Sequence, residues 1–228
     1  MKLVSNRRET PTSRTIRISL GGRPFPYKAG QAALVGLSAG DELTPYSIAS
    51  APEETAREGW LQFLVKVDAA RRFGAAVERI PRGADIHVHG PLGNFTFPDS
   101  PAQHEFLFVA GGTGIAPVRS MLIHALATVR APVIRLLYSA RRPDEFAYVR
   151  ELRALEREGR ISLELTLTGE TGRWRHGRGR AGAAHLHRLG AGPHTMAFVY
   201  GPSAMVTDLT SALASLGVPS PNIHTEQR

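Results

Sequence analysis

The chain has 228 residues, 42% of them hydrophobic and 21% charged, with a formal net charge of +8 and no cysteine. This composition fits one or two folded domains, and the lack of thiols excludes disulfides, thiolate catalysis and a cysteine-held iron–sulfur cluster within these residues. No apolar run approaches the roughly 18 residues of a membrane span, and residues 1–10 lack the apolar core of a secretion signal, so a cytoplasmic protein is expected.

Residues 15–20 alternate polar and apolar, as a half-buried strand does. Gly21 and Gly22 then mark a turn, and Pro24 and Pro26 keep the next stretch extended. Residues 32–35, 46–49, 61–67 and 86–88 are further short runs bounded by Gly, Pro or Asp. Only 72–79 reads as helical in this half. Closely spaced short strands predict a small β-barrel.

The pattern changes after the stretch from Pro98 to Pro101. Strands predicted over 106–110, 133–138, 161–167, 196–200 and 223–225 now alternate with helices over 116–128, 144–158 and 203–216. Such alternation predicts a parallel sheet covered on both faces. The expected domains are therefore 1–100 and 101–228. Residues 169–182, rich in Gly and Arg, are expected to be a mobile loop.

The strongest local signal is Ala110-Gly111-Gly112-Thr113-Gly114-Ile115-Ala116-Pro117, which follows a buried strand and opens a helix. Glycines permit a tight turn close to a diphosphate, and a helix start offers unpaired N–H groups and partial positive charge. The spacing does not match the common G-x-G-x-x-G fingerprint. A second signal is Thr44-Pro45-Tyr46-Ser47-Ile48-Ala49-Ser50 in the β-rich half. There a tyrosine ring can lie against an aromatic ligand and a serine hydroxyl can reach a ring nitrogen. The histidine pairs His87/His89 and His185/His187 have no third ligand nearby, so no metal site is expected. The basic stretch 173–180 reads as a solvated loop, and no basic repeat with interleaved aromatics points to nucleic acid.

Three further motifs are Gly90-Pro91-Leu92-Gly93-Asn94-Phe95, Tyr138-Ser139-Ala140-Arg141 and Tyr200-Gly201-Pro202-Ser203-Ala204-Met205. All five, in chain order and with their spacing, resemble the ferredoxin–NADP reductase family over nearly the whole chain. The resemblance implies a six-stranded antiparallel barrel holding FAD, or FMN, followed by a five-stranded parallel Rossmann-like domain binding NADPH or NADH. It implies hydride transfer between nicotinamide and flavin N5. Tyr46 would stack on the flavin and Ser47 would stand beside N5. Leu64, Val65 and Lys66 would pass the ribityl and adenosine side, and Gly74, Ala75 and Ala76 would face the flavin phosphate. Gly112, Thr113 and Gly114 would lie beneath the NAD(P)H diphosphate. Ser139, Arg141 and Arg180 would contact the adenosine ribose or its 2′-phosphate, favouring NADPH. Tyr200, Gly201 and Pro202 would border the nicotinamide, and Glu226 would relay a proton or stabilise the semiquinone.

The sequence departs from the family at named points. Thr44 stands where an arginine usually pairs with the flavin phosphate, and Val77 where a serine or threonine usually does. Lys66, Arg71 or Arg72 are the candidates to compensate. Tyr200 replaces a cysteine common in relatives, Gly169 stands where another arginine often does, and no aromatic follows Glu226. With no cluster of its own, the chain is expected to deliver electrons to a separate protein. The +8 charge favours an acidic acceptor of ferredoxin or flavodoxin type, or an oxygenase partner. The alternative is a non-catalytic or weakly flavin-binding electron-transfer or nucleotide-sensing subunit of a larger assembly.

Overall fold

The computed structural model describes residues 1–37, 43–169 and 174–227. They form two compact units, residues 1–97 with 119–127 and residues 98–118 with 128–228.

In the first unit, β1 (Lys2–Thr10), β2 (Ser13–Ser19) and β5 (Trp60–Lys66) form an antiparallel sheet in the order β1-β2-β5. A second antiparallel sheet has the order β4-β3-β6, from β3 (Ala32–Gly36), β4 (Thr44–Ser47) and β6 (His87–Leu92). Isolated antiparallel bridges pair Ile48 with Phe63 and Lys2 with Asp85. Leu3, Ile16, Ile18, Val35, Leu61 and Phe63 are buried in one core. Strand β1 is absent from the expected elements because of its side chains only Leu3 and Thr10 are buried, which leaves no apolar alternation to read. Helix α1 (Pro52–Glu58) was also not expected, yet its ends are marked: Pro52 opens it, Glu53 and Glu54 occupy its first turn, and Gly59 closes it at φ +73°. Helix α2 (Arg72–Ala76) runs on as a 3-10 turn over Val77–Arg79, matching the helical reading of 72–79.

The second unit carries a fully parallel sheet. Its strands are β7 (Glu105–Gly111), β8 (Val133–Ala140), β9 (Ser162–Leu167), β10 (Gly177–Arg178), β11 (Thr195–Gly201) and β12 (Ile223–Gln227), in the order β10-β9-β8-β7-β11-β12. The sheet thus has six strands where five were expected. The addition, β10, is two residues long, and Gly177 lets it approach: a Cβ there would lie 2.9 Å from the Leu165 carbonyl oxygen. Part of the expected loop 169–182 is therefore ordered as an edge strand, while Arg173, the head of the basic stretch, lies outside the described residues.

Leu107, Val109, Ala197 and Val199 bury one face against α5 (Ala183–Arg188) and α6 (Ser203–Ser215), through Leu186, Val206, Leu209 and Leu213. On the other face, the rings of Phe108, Phe198 and His224 stack in register, with centroids 5.3 and 4.9 Å apart. Helix α3 (Ile115–Thr128) follows the glycine turn. Residues 144–158 are not one helix. Pro143–Glu145 is a 3-10 turn, Tyr148 sits at φ +58°, and only α4 (Val149–Arg157) is α-helical. Phe146 explains the break: it is buried against Tyr138, edge to face at 4.9 Å, which an uninterrupted surface helix would not allow.

Candidate functional site

Strand β4 presents Tyr46 and Ser47, both half-buried. The Tyr46 ring packs against Phe73 of α2, with centroids 5.7 Å apart and planes at 55°. Its hydroxyl is buried and has no hydrogen-bond partner among the described residues. Burial pushes that hydroxyl up to about 12, against the opposing pull of the nearby Arg71. Gly74, one residue past Phe73, lies close to β5: a Cβ there would be 2.9 Å from the Lys66 carbonyl oxygen. Tyr46, Lys66, Arg71 and Gly74 are thus brought together. Leu64 and Val65 are buried and Lys66 is exposed, while Ala75 and Ala76 follow on α2.

The two departures have structural consequences. Thr44 is 8% exposed and two residues from Tyr46 on the same strand face. Val77 is wholly buried in the core, so it offers a ligand nothing. Arg71 is the cation whose field reaches the Tyr46 hydroxyl.

In the second unit, Gly112–Gly114 forms a 3-10 turn between β7 and α3. Gly112 is exposed at φ +57°, a conformation that favours glycine. Gly114 lies against Tyr200: a Cβ there would be 2.6 Å from Tyr200 Cδ1 and 2.9 Å from its carbonyl oxygen. Tyr200 pairs in register with Ala110 on one side and with Glu226 on the other. Two residues expected to be catalytic are therefore cross-strand neighbours beside the glycine turn, whereas Ser47 belongs to the first unit. Burial pushes the Glu226 carboxyl above its ordinary range. Gly201 and Pro202 follow at the end of β11, where a Cβ on Gly111 would be 3.1 Å from Pro202 Cδ.

Ser139 is buried at the end of β8, in register with Gly111 and Thr166, and Arg141 is exposed two residues on. Asp144 is held by Arg142, whose Nε donates to it at 3.0 Å. Gly169 donates its N–H to the Arg141 carbonyl at 3.1 Å, and a Cβ on Gly169 would run into that oxygen. The glycine at 169 is therefore set by backbone proximity. Arg180 is exposed, next to Gly179, whose carbonyl accepts from Thr166 Oγ1 at 2.9 Å.

Sequence reading missed three contributors. The Trp174 ring stacks on Phe146, with centroids 5.7 Å apart, and its Nε1 donates to the Gly177 carbonyl at 2.9 Å. A tryptophan amid arginines was the available sign. The buried Arg119 and the partly buried Glu54 form an ion pair that no local pattern announces, because the partners are 65 residues apart.

Residues 108–211 match the family described as oxidoreductase NAD-binding domain. The chain is 34% identical over 238 residues to ferredoxin–NADP reductase B of Sorangium cellulosum, covering 99% of this chain and 96% of that protein. The chain belongs to the ferredoxin–NADP reductase family. It is accordingly an NAD(P)H-dependent flavoprotein reductase. It is also 31% identical over 129 residues to the reductase component of the propane 2-monooxygenase of Mycolicibacterium smegmatis, covering 56% of this chain but only 36% of that protein. A ferredoxin NADP+ reductase from Neisseria gonorrhoeae, solved with bound FAD and NADP, has the same fold at a TM-score of 0.80 and 22% identity, covering 99% of this chain and 96% of that one. No helix among the described residues of this reductase is long and apolar enough to cross a membrane.

Proposed function

We propose that this reductase moves hydride between NADPH, or NADH, and an FAD held by residues 1–100, and passes electrons to a separate protein. When bound, the flavin supplies hydride acceptance at N5 and one-electron delivery, chemistry that no side chain here provides. FMN is the other outcome of a cofactor-release assay. We infer that the two antiparallel sheets close into one six-stranded barrel. The Ile48–Phe63 and Lys2–Asp85 bridges support this, as does the N-terminal ammonium, which donates to the Ile86 carbonyl at 2.9 Å.

The observation that carries the flavin reading is Tyr46. The residue is partly open while its hydroxyl is buried with no partner among the described residues, which suits a stacked ligand bringing its own acceptor. In this reading Ser47 donates toward the ring edge. The backbone of Leu64, Val65 and Lys66 borders the ribityl side, and Gly74, Ala75 and Ala76 leave room for the phosphate, with Arg71 as counter-charge. Gly112, Thr113 and Gly114, within residues 101–228, admit the nicotinamide dinucleotide diphosphate. Tyr200, Gly201 and Pro202 orient the nicotinamide, and Glu226 holds a proton near it. Ser139, Arg141 and Arg180 favour a 2′-phosphate. The +8 charge steers an acidic acceptor such as a ferredoxin, a flavodoxin or an oxygenase component.

The test is colour and bleaching. Purified or FAD-reconstituted protein is expected to be yellow and to bleach anaerobically with NADPH faster than with NADH. Protein that takes up neither FAD nor FMN sinks the reading. The second reading, a non-catalytic subunit of a larger assembly, draws on the uncharged, buried Thr44 and Val77. It gains if bleaching needs an added partner protein.

A further inference from the structure

Between β4 and α1 the Ile48 and Ala49 N–H groups still donate to the Gln31 and Gln62 carbonyls, at 2.9 and 2.7 Å, but the chain then leaves the sheets and its remaining peptide groups need partners outside the ladder. Ala49, Ser50 and Ala51 are all fully buried. The Ala49 carbonyl accepts from Arg119 Nη1 at 2.6 Å. The Ser50 carbonyl accepts from Ser120 Oγ at 2.7 Å and from the Tyr27 hydroxyl at 2.9 Å. The Ala51 N–H donates to Glu54 Oε2 at 2.8 Å. Glu54 in turn accepts both arms of the Arg119 guanidinium, each at 2.9 Å. Arg119 is 4% exposed.

Burying an arginine, even paired, is a costly way to hold a fold, since well-packed apolar residues often do as well or better. What a two-armed guanidinium adds is direction. Here it fixes successive peptides that begin two residues after Ser47. We propose that Arg119, keyed by Glu54 and assisted by Ser120, is a positioning residue for Tyr46 and Ser47. It anchors the exit of β4 and so sets the height of the ring and hydroxyl that precede it. This rests on the reading of Tyr46 and Ser47 as flavin contacts.

The test uses the full chain with Arg119→Lys, which keeps the charge and loses the fork, and Ser120→Ala, which removes one bond. Hydrogen–deuterium exchange on flavin-free protein comes first. Amides of residues 47–51 are expected to exchange about tenfold faster in Arg119→Lys, with β11 and α6 unchanged. On FAD-loaded protein, the visible absorption band is expected to shift. Single-turnover reduction by NADPH is expected to slow about tenfold or more, at an NADPH dissociation constant within about twofold of the parent. Unchanged exchange overturns the anchor, whatever the flavin does. Faster exchange with unchanged spectrum and reduction rate overturns the link to Tyr46 and Ser47. A parent protein that binds no flavin overturns the functional reading and this role with it, while the exchange data still report whether the anchor exists. Should Arg119→Lys fail to fold, Ser120→Ala is expected to give the same pattern at smaller amplitude, and no change there overturns the proposal.

Discussion

The hydroxyl of Tyr138 donates to the Gly112 carbonyl oxygen at 3.1 Å and accepts from the Ala147 N–H at 3.1 Å. The end of β8 thereby pins the exposed peptide of the glycine turn. Tyr138→Phe leaves the buried Ala147 N–H without that acceptor, at a cost of about 1–3 kcal/mol. Urea unfolding should register this loss, and titration should show NADPH binding weakened severalfold with flavin content unchanged. Unaltered NADPH affinity would mean that the turn keeps its shape without the hydroxyl.

Tyr46→Phe is expected to act in opposite directions on two forms of the protein. Flavin-free protein loses a buried, unpartnered hydroxyl and should gain up to about 1 kcal/mol of stability. Flavin affinity should fall, because the donor lost is one that a bound ligand would satisfy. Melting curves with and without FAD check both signs, and a variant less stable in both forms would contradict the argument.

Ser47→Ala should slow flavin reduction by about a hundredfold while leaving the protein yellow, as expected for removing a donor aimed at developing charge. Stopped-flow single turnovers make the measurement. Rates equal to the parent would remove Ser47 from the chemistry.

Arg141→Ala should weaken NADPH about tenfold more than NADH, the size of one lost charge-assisted hydrogen bond. Equal losses for the two nucleotides would argue against a 2′-phosphate contact.

Burial pushes the Glu54 carboxyl up, but hydrogen bonds and charge from Arg119 more than reverse this, so its folded value lies below the ordinary one. The stabilisation is therefore fully present above the unfolded value of about 4.3 and is lost as pH falls through the lower folded value. Glu54→Gln should cost about 3–5 kcal/mol at neutral pH by stranding the buried Arg119. The difference from the parent should shrink as the parent itself is acidified. A gap that stays constant down to strong acid would disprove this assignment of the acid sensitivity.

The elements that could be read in advance are those whose period matches their burial. Strand β7 carries a continuous apolar run, and β2 alternates from Ile16 to Ser19, with Thr15 buried out of step. Strand β1 was illegible because it buries only Leu3 and Thr10. The glycine turn was legible because glycines answer to backbone geometry, which is local. The Arg119–Glu54 pair was not, since nothing local distinguishes a buried arginine from the exposed ones. Tyr46 and Ser47 stood out only through their order among other motifs. The unpartnered state of the Tyr46 hydroxyl is a property of its three-dimensional surroundings.

Gly169 bears on how this reductase could be retuned. Its backbone lies against the Arg141 carbonyl with no room for a side chain. A second cation introduced at that position therefore requires the Arg141 carbonyl to be displaced along with it. With Arg141 and Arg180 as the proposed 2′-phosphate contacts, both exposed, substitutions at those two side chains would retune nucleotide choice without that displacement.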